Sequence, residues 1–236
     1  MLQAAVFLYR QGVDQERALG LLEQASALAE RSGSATLIQG ARMGRAAVRM
    51  HDGAYSAALA IVEDPDVRPF TTAQGTRVGA LALLGRHREA LDVLATIDGR
   101  QRRRSEWLWS MLEVVIRSAL ADPDVRNRAV QVHREILAEQ RTPVMVRNVA
   151  ANLVVILLNL DQRERSRRLA AHVRGVVTMP GLTWMFRDGL RSLGLPDPLQ
   201  GRDDDPPHLA PLAALVEDTL RWLEATAPSA ASGGQR

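Results

Sequence analysis

The 236-residue chain has no cysteine, and its 30 basic residues include no lysine, so every one is arginine. The first absence excludes disulfides and thiolate sites and leaves the redox compartment open. The second removes the Walker A lysine, the Schiff-base lysine of pyridoxal enzymes and the kinase lysine that pairs ATP phosphates. Aromatic residues are scarce at 4%, although hydrophobic residues reach 46%. The core must therefore be aliphatic, built mainly from Leu, Val and Ala, and Ala and Leu carry the least helix penalty. An all-α class is expected. The longest apolar run, VAANLVVILLNL at 149–160, is too short to cross a bilayer and holds two asparagines. MLQAAVFLYRQG at the start lacks a basic leader and a small-residue cleavage site. These features predict a cytoplasmic protein with no membrane partner. The formal net charge is only +3, and codon bias in a GC-rich genome accounts for abundant Ala and Arg, so arginine alone does not argue for nucleic acid.

What is present is a repeated turn. In LLGRHREALDVL at 83–94, Gly85 is followed five and six places on by Ala90 and Leu91. The same spacing joins Gly53 to Ala58 and Leu59, Asp124 to Ala129 and Val130, and Asp161 to Ser166, with a looser copy from Gly12 to Ala18. The anchors stand 32 to 41 residues apart, a period that signals stacked helix pairs. Glycine takes the left-handed conformation that ends one helix, and the small residue after it lets the next helix pack closely. Periodicity and caps predict helices near 2–11, 14–31, 35–51, 55–63, 71–84, 87–97, 104–121, 125–139, 144–160, 163–177 and 182–193.

Gly53-Ala-Tyr55 with Ala58-Leu59, and Gly85 through Ala90-Leu91, resemble the turn and second-helix start of tetratricopeptide repeats, over roughly 1–175 with the weak copies. The first helices depart from that pattern, placing Arg42 and Arg45 ahead of Gly53 and Gln74 and Arg77 ahead of Gly85. An irregular bundle with chance turns is the bland alternative. The resemblance implies a right-handed superhelix of hairpins over 1–194. A Pro- and Asp-rich linker follows at 195–208, then an amphipathic capping helix at 209–226 and a disordered tail at 227–236. The helix is expected to fold back on 163–193, burying Leu212, Leu215, Val216, Leu220 and Leu223.

No constellation for catalysis stands out. Asp203, Asp204 and Asp205 are consecutive and do not converge on one cation. The five histidines show no metal-binding spacing, and His51 and His87 read as polar residues flanking turns. Two arginine clusters, Arg100 with Arg102 to Arg104 and Arg163 with Arg165, Arg167 and Arg168, suit phosphate or acidic peptide, or else a solvated face. Of Trp107 and Trp109, at most one can share the core, because they point to different faces of one helix. No helix-turn-helix pattern supports sequence-specific DNA reading.

The reading is a non-catalytic interaction and regulatory module without cofactor or metal. Its first helices would offer Arg42, Arg45, Arg49, Gln74, Arg77, Arg117, Arg147, Asn148 and Asn152 to a protein or peptide partner of acidic or extended character. The alternative is a sensor or coupling arm of a larger bacterial transcriptional regulator or signalling ATPase.

Overall fold

A computed structural model of the chain describes residues 15–97, 99, 105–173, 181–196 and 209–228. Among these the protein is all-helical, with no strand. The helices are α1 (Gln15–Ser32), α2 (Ala35–His51), α3 (Tyr55–Val62), α4 (Thr71–Leu83), α5 (His87–Ala95), α6 (Glu106–Ala119), α7 (Val125–Glu139), α8 (Pro143–Asn159), α9 (Arg163–Ala170), α10 (Leu182–Ser192) and α11 (Leu209–Ala225). The expected helix at 2–11, Gly12, the 100–104 arginines, the linker beyond Pro196, Asp203 to Asp205 and the tail beyond Pro228 lie outside the described residues.

The corners follow one hydrogen-bonding scheme. Gly53 and Gly85 sit at φ of 76° and 75°, each donating to the carbonyl three residues back. The next residues, Ala54 and Arg86, donate five back, to Arg49 and Leu81. This paired arrangement satisfies carbonyls that the ending helix would otherwise leave bare. Asp161 repeats it at φ 58°. After α6 the left-handed residue is Ala121, not the expected Asp124, because the helix stops earlier and an Asp-Pro turn intervenes. Ala58, Ala90 and Ser166, each five residues past its corner, are fully buried. Ser166 fits where alanine stands elsewhere because its hydroxyl donates 2.9 Å to the Val154 carbonyl on α8.

The duplicated pentapeptide DPDVR builds the same turn twice. Asp64 and Asp122 each accept from the amide two residues on, and Val67 and Val125 enter the core. An arginine from the preceding chain holds each turn: Arg42 pairs with Asp64 at 3.0 Å and Arg117 with Asp122 at 3.0 Å. The repetition is local chemistry shared by two corners.

Neighbouring helices pack in sequence from α1 to α7, and α8 packs on α9. The middle of the molecule is α8, which touches α6, α7, α9, α10 and α11. Thr142 caps its start, accepting from Met145, with Pro143 at the first position. Helix α8 is mostly apolar and buried without a break from Val149 to Leu157, as a helix at the centre of a core must be, while Arg147 and Asn159 lie toward its ends. Two of its three amides, Asn148 and Asn152, are buried too: Asn152 donates 3.1 Å to the Met111 carbonyl on α6 and lies 2.8 Å from Nε2 of His133 on α7. His133 is itself fully buried, with Nδ1 2.6 Å from the Ala129 carbonyl. Burial holds the ring below its ordinary pKa despite both hydrogen bonds. A neutral imidazole has one proton for these two oxygens, and the cost of a buried charge wins over the second bond.

Two helices are added to the hairpins. Helix α10 lies on α4 and α8, and Gly181 at its start, φ 83°, meets the α4 backbone at Gly75 and Gly79. A Cβ on Gly79 would come within 2.7 Å of the Gly181 Cα, so glycine there permits backbone to touch backbone. Its other end is covered by Arg163 and Arg167 of α9, which donate 2.8 Å each to the Ser192 and Leu193 carbonyls. Helix α11 lies on α7, α8 and α9, a wider seat than the expected 163–193. Leu212, Val216, Leu220 and Leu223 are buried, Leu215 is half-buried, and Glu217, Asp218 and Arg221 are exposed.

Candidate functional site

The sequence put nine residues on a partner-binding face, and the structure separates them. Asn148 and Asn152 are corrections: at 1% and 0% exposure, they are packed inside the protein and are not on an open face. Arg42, Arg77 and Arg117 are committed within the chain, Arg42 to Asp64 and Asp66, Arg77 to Glu63 at 2.9 Å, and Arg117 to Glu113 and Asp122. Arg147 and Gln74 are half-buried on α8 and α4, and Arg147 donates to the Pro143 carbonyl of its own helix. Only Arg45 and Arg49 come together at an open feature.

That feature is a cleft of about 630 Å³ between α1 and α2, closed at one side by Ile61 of α3. Its floor is Leu22 and Val48, which with Ala18 form a small apolar cluster separate from the main core. Leu19, 39% exposed, adds apolar surface at the wall. Glu23 and Glu30 stand on the α1 side, Arg45, Arg49 and Asp52 on the α2 side. Arg45 lies 4.0 Å from Glu30, with both side chains about half exposed or more, a pair that solvent screens and that a ligand can replace. Arg49 is exposed and forms no ion pair among the described residues. No protein-family model, curated protein or solved structure matches the chain. The site therefore rests on its own chemistry: an apolar floor, flanked by two exposed guanidiniums, one of them loosely paired, and three carboxylates.

Of the second arginine cluster, Arg163, Arg165 and Arg167 reach neighbouring helices, and Arg126 and Arg134 do the same, while Arg100 and Arg102 to Arg104 lie outside the described residues. Arg134 forks onto Glu224 of α11 at 2.8 and 3.0 Å, and Arg165 reaches Asp218 at 4.0 Å. Arg126 and Arg165 flank the Trp222 ring, with centroid distances of 5.7 and 4.7 Å, and Arg126 also donates to the Thr226 carbonyl. Hydrogen bonding to Arg134 lowers the Glu224 pKa. Of the tryptophans, Trp109 is buried and Trp107 half-buried, as their opposed directions on α6 require. His51 does flank a turn, but its Nε2 is 2.8 Å from Arg187 of α10. Sequence reasoning missed Glu23, Glu30, Asp52 and Ile61, because nothing local says that α1, α2 and α3 meet. Among the described residues no group of His, Asp and Glu is arranged to hold a metal, and no helix is long and apolar enough to cross a membrane.

Proposed function

We propose that the chain is a non-catalytic protein-binding module, a short right-handed stack of degenerate tetratricopeptide-like hairpins capped by α11, that grips a segment of another protein in the α1–α2 cleft. The hairpin reading is supported by the shared corner geometry at Gly53, Gly85 and Asp161 and by the buried small residue five places beyond each. In such a stack the first helices would present the binding face, yet here α10 lies across α4 and α8. The surface left for a partner shifts to the N-terminal end, where the observation that carries the proposal is found: Arg45 and Arg49 over the floor of Leu22 and Val48. A segment with one apolar anchor and an acidic residue within a turn of it fits that arrangement. The anchor removes apolar surface from water, and the carboxylate meets a guanidinium in a charge-assisted pair.

The test places a photo-reactive residue at Ala27, which lines the cleft, and compares captured proteins with and without the Arg45→Glu/Arg49→Glu pair. The proposal expects a discrete crosslinked partner that disappears on charge reversal. The same captured set in both proteins would refute it.

A further inference from the structure

A second cavity, about 290 Å³, opens where α4, α6, α8 and α10 end, and its chemistry points to a different kind of ligand. The walls are aliphatic: Val115 and Ile116 of α6, Val155 and Leu158 of α8 and Met185 of α10. The polar groups are Asp188, Asn159, Ser192 and His87. The donors of Asn159 and Ser192 are already used. Asn159 gives its amide hydrogens to the Val115 carbonyl and the Ser118 hydroxyl, at 3.3 and 2.9 Å. Ser192 gives its proton to the Gly189 carbonyl at 2.7 Å. Asp188 accepts through Oδ1 alone, from Tyr55 at 3.2 Å and Arg191 at 3.0 Å, which leaves Oδ2 to accept again. What Asn159, Ser192 and Asp188 still offer is acceptors, the Asn159 amide oxygen, the Ser192 oxygen and a carboxylate oxygen, and the one further polar side chain, His87, brings a ring N–H as well as an acceptor nitrogen when neutral.

The backbone adds the same sign. Four helices turn their C-terminal ends to this cavity, each carrying roughly half a negative charge, against one helix start, that of α5 at His87. Arg163 and Arg167 cover the α10 end and Arg117 stands in the last turn of α6, so the ends of α4 and α8, whose last carbonyls accept from the corner amides, are the two without a side-chain cation. An anion would meet no free donor from Asn159 or Ser192 and would face the carboxylate. A neutral apolar molecule would leave the acceptors unanswered.

We propose that this cavity binds a small organic ammonium ion, an amine with a compact apolar body. The ammonium hydrogens point to Asp188 Oδ2, the Asn159 oxygen and the Ser192 oxygen, and the body lies against Ile116, Leu158 and Met185. The site is separate from the α1–α2 cleft, so failure here leaves the protein-binding reading standing, and the reverse.

Three probes that share one apolar body decide it: 2-phenylethylammonium, 2-phenylethanol and phenylacetate, titrated into the full chain at pH 7 and followed by amide NMR shifts. The ammonium should bind at least roughly tenfold tighter than the alcohol, as a charge-assisted bond is about twice as strong as a neutral one, with shifts centred on Gly85, Ala119, Asn159 and Gly189. Phenylacetate should not bind. Asp188→Asn keeps the shape and an accepting oxygen for Tyr55 and Arg191, and should erase the preference for the ammonium. Ala119→Phe fills the cavity from its half-exposed rim and should remove binding of every probe while leaving the melting temperature near that of the parent. Equal binding of all three probes, binding of none, or an ammonium preference that survives Asp188→Asn would each overturn the proposal.

Discussion

Helices α10 and α11 are both additions to the hairpins, and they are attached in opposite ways. Helix α10 is inserted: Gly181 touches the backbone of α4 at Gly75 and Gly79, and its side chains from Leu182 to Phe186 are buried between α4 and α8. Helix α11 is laid on, with one apolar face against α7, α8 and α9 and an exposed edge where Arg134 and Arg165 meet its acids. Clefts of about 280 and 470 Å³ run along its two sides, next to α7 and to α9. Backbone contact through glycine needs no side-chain ordering and no counterion, but tolerates no added atom. An apolar stripe with arginines at its border tolerates small changes, and its ionic part weakens with salt. Among the described residues, Arg134 and Arg165 at the α11 edge and Arg163 and Arg167 at the α10 end show arginine fastening one helix to another.

The comparison can be broken from either side. Ending the chain after residue 208 should have the largest effect, because burial of Leu212, Val216, Leu220 and Leu223 contributes roughly 1.5–3 kcal/mol per side chain. Calorimetry should show a clear fall in melting temperature, and light scattering should show self-association through the uncovered face of α7 to α9. An unchanged, monodisperse protein would mean that α11 covers nothing of consequence. Gly79→Ala should come next, costing about 1–3 kcal/mol in denaturant titration, as overpacking does. Its methyl falls 2.7 Å from the Gly181 Cα, and that neighbour is backbone. A neutral result would show that α10 is not held by close backbone approach.

A smaller effect concerns the floor beneath α11. His133 joins α7 to α8 through Asn152, and burial lowers its pKa in the folded chain. The neutral ring therefore stabilises the fold in full above the unfolded value of about 6.5. That contribution is lost as pH falls through 6.5 toward the lower folded value, because the unfolded chain then takes up the proton first. Melting temperature should drop between pH 7.5 and 5 more steeply in the parent than in His133→Gln. Parallel curves would remove His133 as the cause. The smallest effect is expected from Arg134→Ala, which breaks the fork to Glu224 at an exposed edge. Its slight destabilisation at low salt should vanish at 1 M NaCl, and a salt-independent loss would show that Arg134 acts by packing.

The corners were legible because their signal is local. Gly53 and Gly85 announce a left-handed residue, and the alanine five places on announces close packing, so the hairpins could be placed from a dozen residues each. Ala121 could not, since alanine seldom adopts positive φ and gives no warning of it. The seat of α10 was hidden for another reason. Gly75 and Gly79 form a notch only once Gly181, a hundred residues later, is brought against it. Asn148 and Asn152 read as surface residues because they are polar, whereas the run of aliphatic residues around them in α8 marks a buried helix whose amides find partners inside. At the candidate cleft Arg45 and Arg49 could be named from the sequence, but the opposing acids and the Ile61 wall required the fold.

Residue-resolved amide exchange on the full chain tests the contrast between inserted and laid-on helices most directly. Met185 to Leu190 of α10 should exchange only through global unfolding, with protection equal to that of α8. Val216 to Leu223 of α11 should open in a separate step of lower free energy, and 1 M NaCl should lower this free energy further for α11 alone. Protection in α11 equal to that in α10 at both salt concentrations would show that the two helices are held in the same way.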